Sequence, residues 1–131
     1  MIASLLRPDL GESSRFEYIL NMWKQMAGGK RFDYDNQVFL SEKSEPWTNR
    51  ALASLMKGKG AFPTGTDMDK TLELYFMCCS LEADTDRLSI VAATLANNGV
   101  NPLTGKRVLS SDTVRETLSI MNCCGMYDFS G

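Results

Sequence analysis

The stretch Thr66-Asp67-Met68-Asp69-Lys70-Thr71-Leu72-Glu73-Leu74-Tyr75-Phe76-Met77-Cys78-Cys79-Ser80-Leu81-Glu82 decides the fold. Thr66-x-x-Asp69 opens a helix that should run to about Glu82. Its Leu72, Leu74, Tyr75, Phe76, Met77, Cys78, Cys79 and Leu81 lie on every side of the cylinder. A helix apolar all round is hidden only at the centre of a packed structure, so this one is expected as the central helix. The flanks are also helical. Upstream, Gly60–Gly65 is a turn carrying Pro63, and Trp47, Ala51, Leu52, Leu55 and Met56 form a stripe closed by Lys57-Gly58. Ser14-x-x-Glu17 reads as a capping box, followed by Phe16, Ile19, Leu20, Trp23 and Ala27 on one face and stopped by Gly28-Gly29. Met1–Leu6 reads as the tail of a helix that Pro8 ends. Residues 30–46 read as more loop than element. Downstream, Thr85 starts a helix with Leu88, Val91, Ala92 and Leu95 inward and Asn98-Gly99 as its stop. Ser110 or Ser111 caps a last helix through about Asn122. The expectation is an all-α chain with almost no room for a sheet.

Composition narrows the chemistry. The 131 residues are 44% hydrophobic and 23% charged, which is ordinary globular usage rather than that of a disordered tail. There is no histidine, which excludes a Ser-His-Asp or Cys-His centre within this chain and any metal site built on imidazole. A net charge of -2 gives no basic character that would suggest nucleic acid or an anionic membrane as partner. The four cysteines form two adjacent pairs, Cys78-Cys79 and Cys123-Cys124, which match neither a disulfide scaffold nor a Cys-x2-Cys zinc site. They read as reduced thiols of an intracellular protein, acting as small hydrophobes. The opening Met1–Pro8 segment is too short to span a bilayer and lacks the basic region of a signal peptide.

One catalytic pattern stands out locally. Ser54-Leu55-Met56-Lys57 matches Ser-x-x-Lys, in which a lysine one helical turn on can take the serine proton. Active serines of that type open a helix, whereas Ser54 lies near the end of one, so it reads as a bystander. Glu42, Asn49, Tyr75 and Tyr127 show nothing special from spacing: a solvated acid, a helix-entry residue and two aromatics on apolar segments.

Longer runs carry more. Phe62-Pro63-Thr64-Gly65-Thr66-Asp67-Met68, Ala92-Ala93-Thr94-Leu95-Ala96-Asn97-Asn98-Gly99, Gly105-Lys106-Arg107-Val108-Leu109-Ser110 and Cys124-Gly125-Met126-Tyr127-Asp128-Phe129-Ser130-Gly131 occur in that order. Together they resemble glutaminases of the serine-dependent, β-lactamase-like family, found in bacteria and in animal mitochondria. The likeness covers essentially the whole chain. Its ending and the run into Cys78-Cys79 look more like the animal enzymes, which implies a mitochondrial location, or a cytoplasmic one for a bacterial source.

The resemblance implies a reaction in which a serine of a Ser-x-x-Lys pair attacks the side-chain amide of L-glutamine. Ammonia leaves, and water then releases L-glutamate from the acyl-enzyme, with no metal or organic cofactor. In the family the serine and lysine lie N-terminal to the region matched here, and Ser54-Lys57 falls where relatives carry an interface helix. Residues 1–131 are therefore expected to be a helical subdomain, truncated at both ends, of a larger β-lactamase/transpeptidase-like α/β catalytic domain. The full-length enzyme is expected to be a homo-oligomer, a homotetramer as in relatives, with neither nucleic acid nor membrane as partner.

By the same resemblance Glu42 matches the carboxylate that receives the substrate's α-ammonium, and Asn49 the amide that orients its carboxylate. Tyr75 and Tyr127 match tyrosines beside the serine and lysine, where a neighbouring cation lowers a phenol from its ordinary pKa of about 10 and makes proton relay feasible. These four side chains should converge on one concave surface. Ser44-Glu45-Pro46-Trp47-Thr48 departs from the more charged linker of relatives, and Ser54 and Leu55 stand where some animal relatives have tyrosines that pack between dimers. A stand-alone helical binding module and a small hydrolase using Ser54 remain open. An upstream Ser-x-x-Lys in the full gene product separates the first from an enzyme, and labelling by an activated acyl probe tests the second.

Overall fold

The computed structural model describes residues 2–125, and they are mostly helical. A 3-10 helix over Ile2–Leu5 is followed by α1 (Glu12–Met26), β1 (Asp33–Tyr34), α2 (Asn36–Ser44), α3 (Trp47–Gly58), α4 (Met68–Cys79), β2 (Leu81–Glu82), α5 (Thr85–Ala96) and α6 (Ser111–Cys124). The all-α expectation is thus right in its main part, and two short strands are added to it. The chain divides into two compact units, Met1–Asn21 with Asp33–Glu82 and Met22–Phe32 with Ala83–Gly131.

In the first unit α4 is the central helix, packed against α2, α3 and the 3-10 helix. Leu72 and Phe76 of α4 close on Ala53 of α3, with Phe39, Phe62, Met68 and Tyr75 half-buried around them. Asp67 caps α4 by accepting the Lys70 N–H at 3.1 Å. The helix ends at Cys79, short of the expected Glu82, and Ser80 supplies the reason. The buried Ser80 donates its hydroxyl to the Phe76 carbonyl at 2.8 Å, and its own carbonyl accepts the Asp35 N–H at 2.9 Å. The chain thereby leaves the helix into an antiparallel pairing of Tyr34 with Leu81 and Asp33 with Glu82.

Residues 30–46 hold β1 and α2 where a loop was expected. Asp35 caps α2, its carboxylate accepting the Gln37 and Val38 N–H groups at 2.7 and 3.1 Å. The helical stripe is thin, because Val38 and Leu40 are exposed while Phe39 packs on α4. Helix α1 begins at Glu12 rather than after Ser14: the Gly11 carbonyl accepts the Arg15 N–H at 2.9 Å. Arg15 then donates its guanidinium to the Leu6 and Ala3 carbonyls at 2.7 and 2.6 Å, satisfying the open end of the 3-10 helix. In α3 the apolar stripe does not face inward. Trp47 is 73% and Leu55 62% exposed, while the buried side is Ala53, flanked by half-buried Asn49 and Met56.

The second unit is organised by a polar knot. Thr94 and Asn101 are both fully buried. The Asn101 amide donates to the Met26 carbonyl at 2.8 Å and the Thr94 hydroxyl oxygen at 3.0 Å, and its oxygen accepts the Leu103 and Thr104 N–H groups at 3.0 Å each. Thr94 in turn donates to the Met26 carbonyl at 2.8 Å. This pulls Val91 and Thr94 inward and leaves Leu88 and Ala92 exposed, correcting the face expected for α5. Asn98 and Gly99 end the helix region at φ +55° and +80°. A Cβ at Gly99 would lie 2.3 Å from the Leu109 carbonyl oxygen, so only glycine fits. Ser110 caps α6 through the Thr113 N–H at 3.1 Å, as expected.

Candidate active site

Helix α4 presents Tyr75 and Cys79 one turn apart on the same face. The Tyr75 ring rests on the Ala53, Leu72 and Phe76 cluster and meets the Phe76 ring at 5.8 Å. Its neighbours Leu74 and Phe76 are buried, while Tyr75 is only half-buried.

Helix α2, which carries Glu42, packs on α4. Lys43 pairs with Glu73 of α4 at 2.6 Å and stands over the Phe39 ring at 5.5 Å, which holds the C-terminal half of α2 on α4. Glu42 is half-buried and close enough for its charge to act on Cys79. Desolvation pushes the Cys79 thiol up, Tyr75 partly offsets this, and Glu42 adds to it. Burial likewise raises Cys78, with Cys79 adding to the effect and Arg15 opposing it. Both sulfurs therefore stay protonated at neutral pH and are poor nucleophiles or metal ligands. Among the described residues no lysine or arginine pairs with Glu42, because the adjacent Lys43 is spent on Glu73.

Asn49 lies early in α3, on the face that carries Ala53 against α4. Its neighbour Arg50 ties α3 to α4 through Asp69 at 2.7 Å. Glu42 and Asn49 thus lie on α2 and α3, the two helices packed against the α4 that carries Tyr75. Tyr127 lies outside the described residues. The Ser54 hydroxyl is 4.0 Å from the Met68 sulfur and makes no hydrogen bond to Lys57, so the local Ser-x-x-Lys match is not an activated pair.

A separate cleft of about 360 Å³ lies in the same unit, lined by Ser4, Arg15, Thr66, Asp67, Lys70 and Thr71 among others. It contains none of the four residues singled out. Its cations are engaged, Arg15 by two carbonyls and Lys70 by Glu12 at 2.8 Å. Arg15 was missed in the sequence, because an arginine beside an apolar stripe looks like solvated surface, and Cys79, read there as a small hydrophobe, is exposed. Among the described residues no group of cysteines and carboxylates could hold a metal ion, and no helix is long and apolar enough to cross a membrane.

Comparison with known proteins bears on this arrangement. The family model described as Glutaminase matches residues 1–131. The mitochondrial liver isoform of glutaminase from Rattus norvegicus is 44% identical over 131 residues, covering all of this chain and 22% of the relative. A glutaminase of Legionella pneumophila is 42% identical over 124 residues, covering 95% of this chain and 39% of the relative. A solved Bacillus glutaminase superposes with a TM-score of 0.85 at 29% identity, over 96% of this chain and 41% of that one. A Bacillus subtilis relative solved with 6-diazo-5-oxo-L-norleucine gives a TM-score of 0.86 at 29% identity, over 97% and 41%. The chain therefore spans about a fifth of the rat protein.

Proposed function

Given that the chain belongs to the glutaminase family, we propose that it is the helical part of a larger α/β catalytic domain that hydrolyses L-glutamine to L-glutamate and ammonia. On this reading the nucleophilic serine and its lysine lie outside residues 1–131, and the whole protein is a homo-oligomer that acts in the mitochondrion. One observation carries the reading furthest: Glu42, a half-buried carboxylate with no cationic partner among the described residues, lies on a helix packed against the one that carries the half-buried Tyr75.

The chemistry follows from these groups. A free amino acid brings an ammonium that needs a counter-charge, and a carboxylate already paired with lysine would serve poorly. Glu42 takes that ammonium, and Asn49 meets the α-carboxylate with a neutral amide donor. The γ-amide is then left for the tyrosines that the family resemblance singles out, Tyr75 and Tyr127. As the serine oxygen adds to the amide carbon, its proton must reach the departing nitrogen, or the leaving group would be an amide anion. A phenol held in place can pass that proton, and in the second half-reaction accept one from the attacking water. The glutamine-like 6-diazo-5-oxo-L-norleucine bound in the Bacillus subtilis relative supports the same substrate class.

The test is made in the full-length enzyme. Tyr75→Phe should lower turnover by about 10²-fold or more, the range of positioned proton transfer. Glu42→Gln should act chiefly on KM, because the ammonium contact exists before the reaction starts. Near-normal turnover for Tyr75→Phe together with an unchanged KM for Glu42→Gln would remove the assignment.

A further inference from the structure

We propose that Glu73 and Asp69 of α4 are positioning residues for the amino-acid end of the substrate: through Lys43 and Arg50 they clamp the two helices that carry Glu42 and Asn49. The inference rests on the roles given above to Glu42 and Asn49. Glu42 lies in the last turn of α2 and Asn49 in the first turn of α3, with only Glu45 and Pro46 between the helices. Pro46 is buried at φ −85°, and its carbonyl accepts the Arg50 N–H at 2.8 Å, so the elbow itself is held. Each of the two residues is followed at once by a cation that reaches α4. Lys43 meets Glu73 at 2.6 Å, and Arg50 meets Asp69 at 2.7 Å. Asp69 and Glu73 are one turn apart in α4, so both clamps close on one side of it.

Apolar packing does not supply this fixation. Helix α2 lays Phe39 on the α4 cluster while Val38 and Leu40 stay exposed, and the one buried side chain of α3 is Ala53. Contacts that small hold the helices together but resist sliding and turning poorly, whereas a charged hydrogen bond of fixed length resists both. The substrate makes the demand. An α-amino acid carries its ammonium and carboxylate on one carbon, so the groups that receive them must keep one separation. The clamps also occupy Lys43 and Arg50, the cations next in sequence to Glu42 and Asn49. The paired side chains are between 40 and 68% exposed, so the bridges add little to folding. Their loss should therefore appear in substrate affinity and not in turnover.

The experiment measures L-glutamine hydrolysis, and its competitive inhibition by L-glutamate, in the full-length enzyme. Glu73→Ala and Asp69→Ala should each raise KM about fivefold, the upper end of what an exposed ion pair is worth, with kcat within about twofold of the parent. The inhibition constant of L-glutamate should rise in step, because substrate and product share the amino-acid end. The exchanged pair, Lys43→Glu/Glu73→Lys, rebuilds the bridge with its charges reversed and should return KM to within about twofold. A merely structural bridge would lower the melting temperature and leave KM where it was. If either alanine variant fails to fold, Lys43→Met or Arg50→Met breaks the same bridge from the other side. An unraised KM for either bridge, beside a raised KM in Glu42→Gln, overturns the clamp proposal alone. A loss confined to kcat, or an exchanged pair that does not recover KM, overturns it equally. An unchanged KM in Glu42→Gln overturns the reading of Glu42 itself, and the clamp proposal with it.

Discussion

Replacing Asn101 by alanine should cost the protein about 2–4 kcal/mol, and the structure shows how that figure divides. The amide makes four bonds of 2.8–3.0 Å from a fully buried position. On the donor side little is stranded, because the Met26 carbonyl still receives the Thr94 hydroxyl at 2.8 Å. The acceptor side is different. The Leu103 and Thr104 N–H groups lose their common partner, each at about 1–3 kcal/mol unless water replaces it, and the exposure of both residues lets water recover part of that. The space left by the truncated amide adds a smaller amount. Against a typical stability of about 5–15 kcal/mol the loss is large. Urea unfolding of the full-length protein measures the total, and amide exchange at Leu103 and Thr104 isolates the local part. Asn101→Asp keeps the acceptor but turns an anion toward the Met26 carbonyl and the Thr94 oxygen. Its folded pKa should then be raised above the unfolded value of about 4. Its stability should accordingly be greatest below about pH 4 and fall as pH rises toward neutrality. An Asn101→Ala protein within 1 kcal/mol of the parent, or unchanged exchange at the two amides, would refute the reasoning.

Two other expectations can be tested on the same protein. Gly99→Ala should destabilise by about 2 kcal/mol or more, because its Cβ meets the Leu109 carbonyl oxygen at 2.3 Å while φ stays at +80°; a thermal scan superposing on the parent would contradict this. Cys79 should react with maleimide more slowly at pH 7 than a small free thiol, despite being exposed, and catch up only as pH rises above about 9. Rapid labelling of Cys79 at neutral pH, read by mass spectrometry of the modified peptide, would show that its surroundings do not hold the proton.

The sequence was most readable where one physical signal dominated. Helix α4 could be recognised because apolar residues surround it, and its central place followed. Its last residue could not, since Ser80 has to meet Asp35 before the reason for stopping there exists. Helix α2 hid behind its own thin contact, a single Phe39 where a periodic stripe was sought. The inward face of α5 was misjudged for a related reason: hydrophobicity pointed to Leu88 and Ala92, but Thr94 is drawn inside by hydrogen bonds to residues distant in sequence. Glu42 and Tyr75 carried no local sign of a site and were picked out through the resemblance alone.

The point at which α4 ends also sets an electric field. Aligned peptide dipoles leave about half an elementary negative charge at a helix C-terminus. The last turn of α4 holds no lysine or arginine to neutralise it. The helix that carries Glu42, α2, packs on α4. On the role proposed for Glu42, the helix end and that carboxylate would add as two sources of negative potential where an ammonium arrives. Such a field would draw a free amino acid in amine end first, with a preference that should weaken as salt shortens its reach.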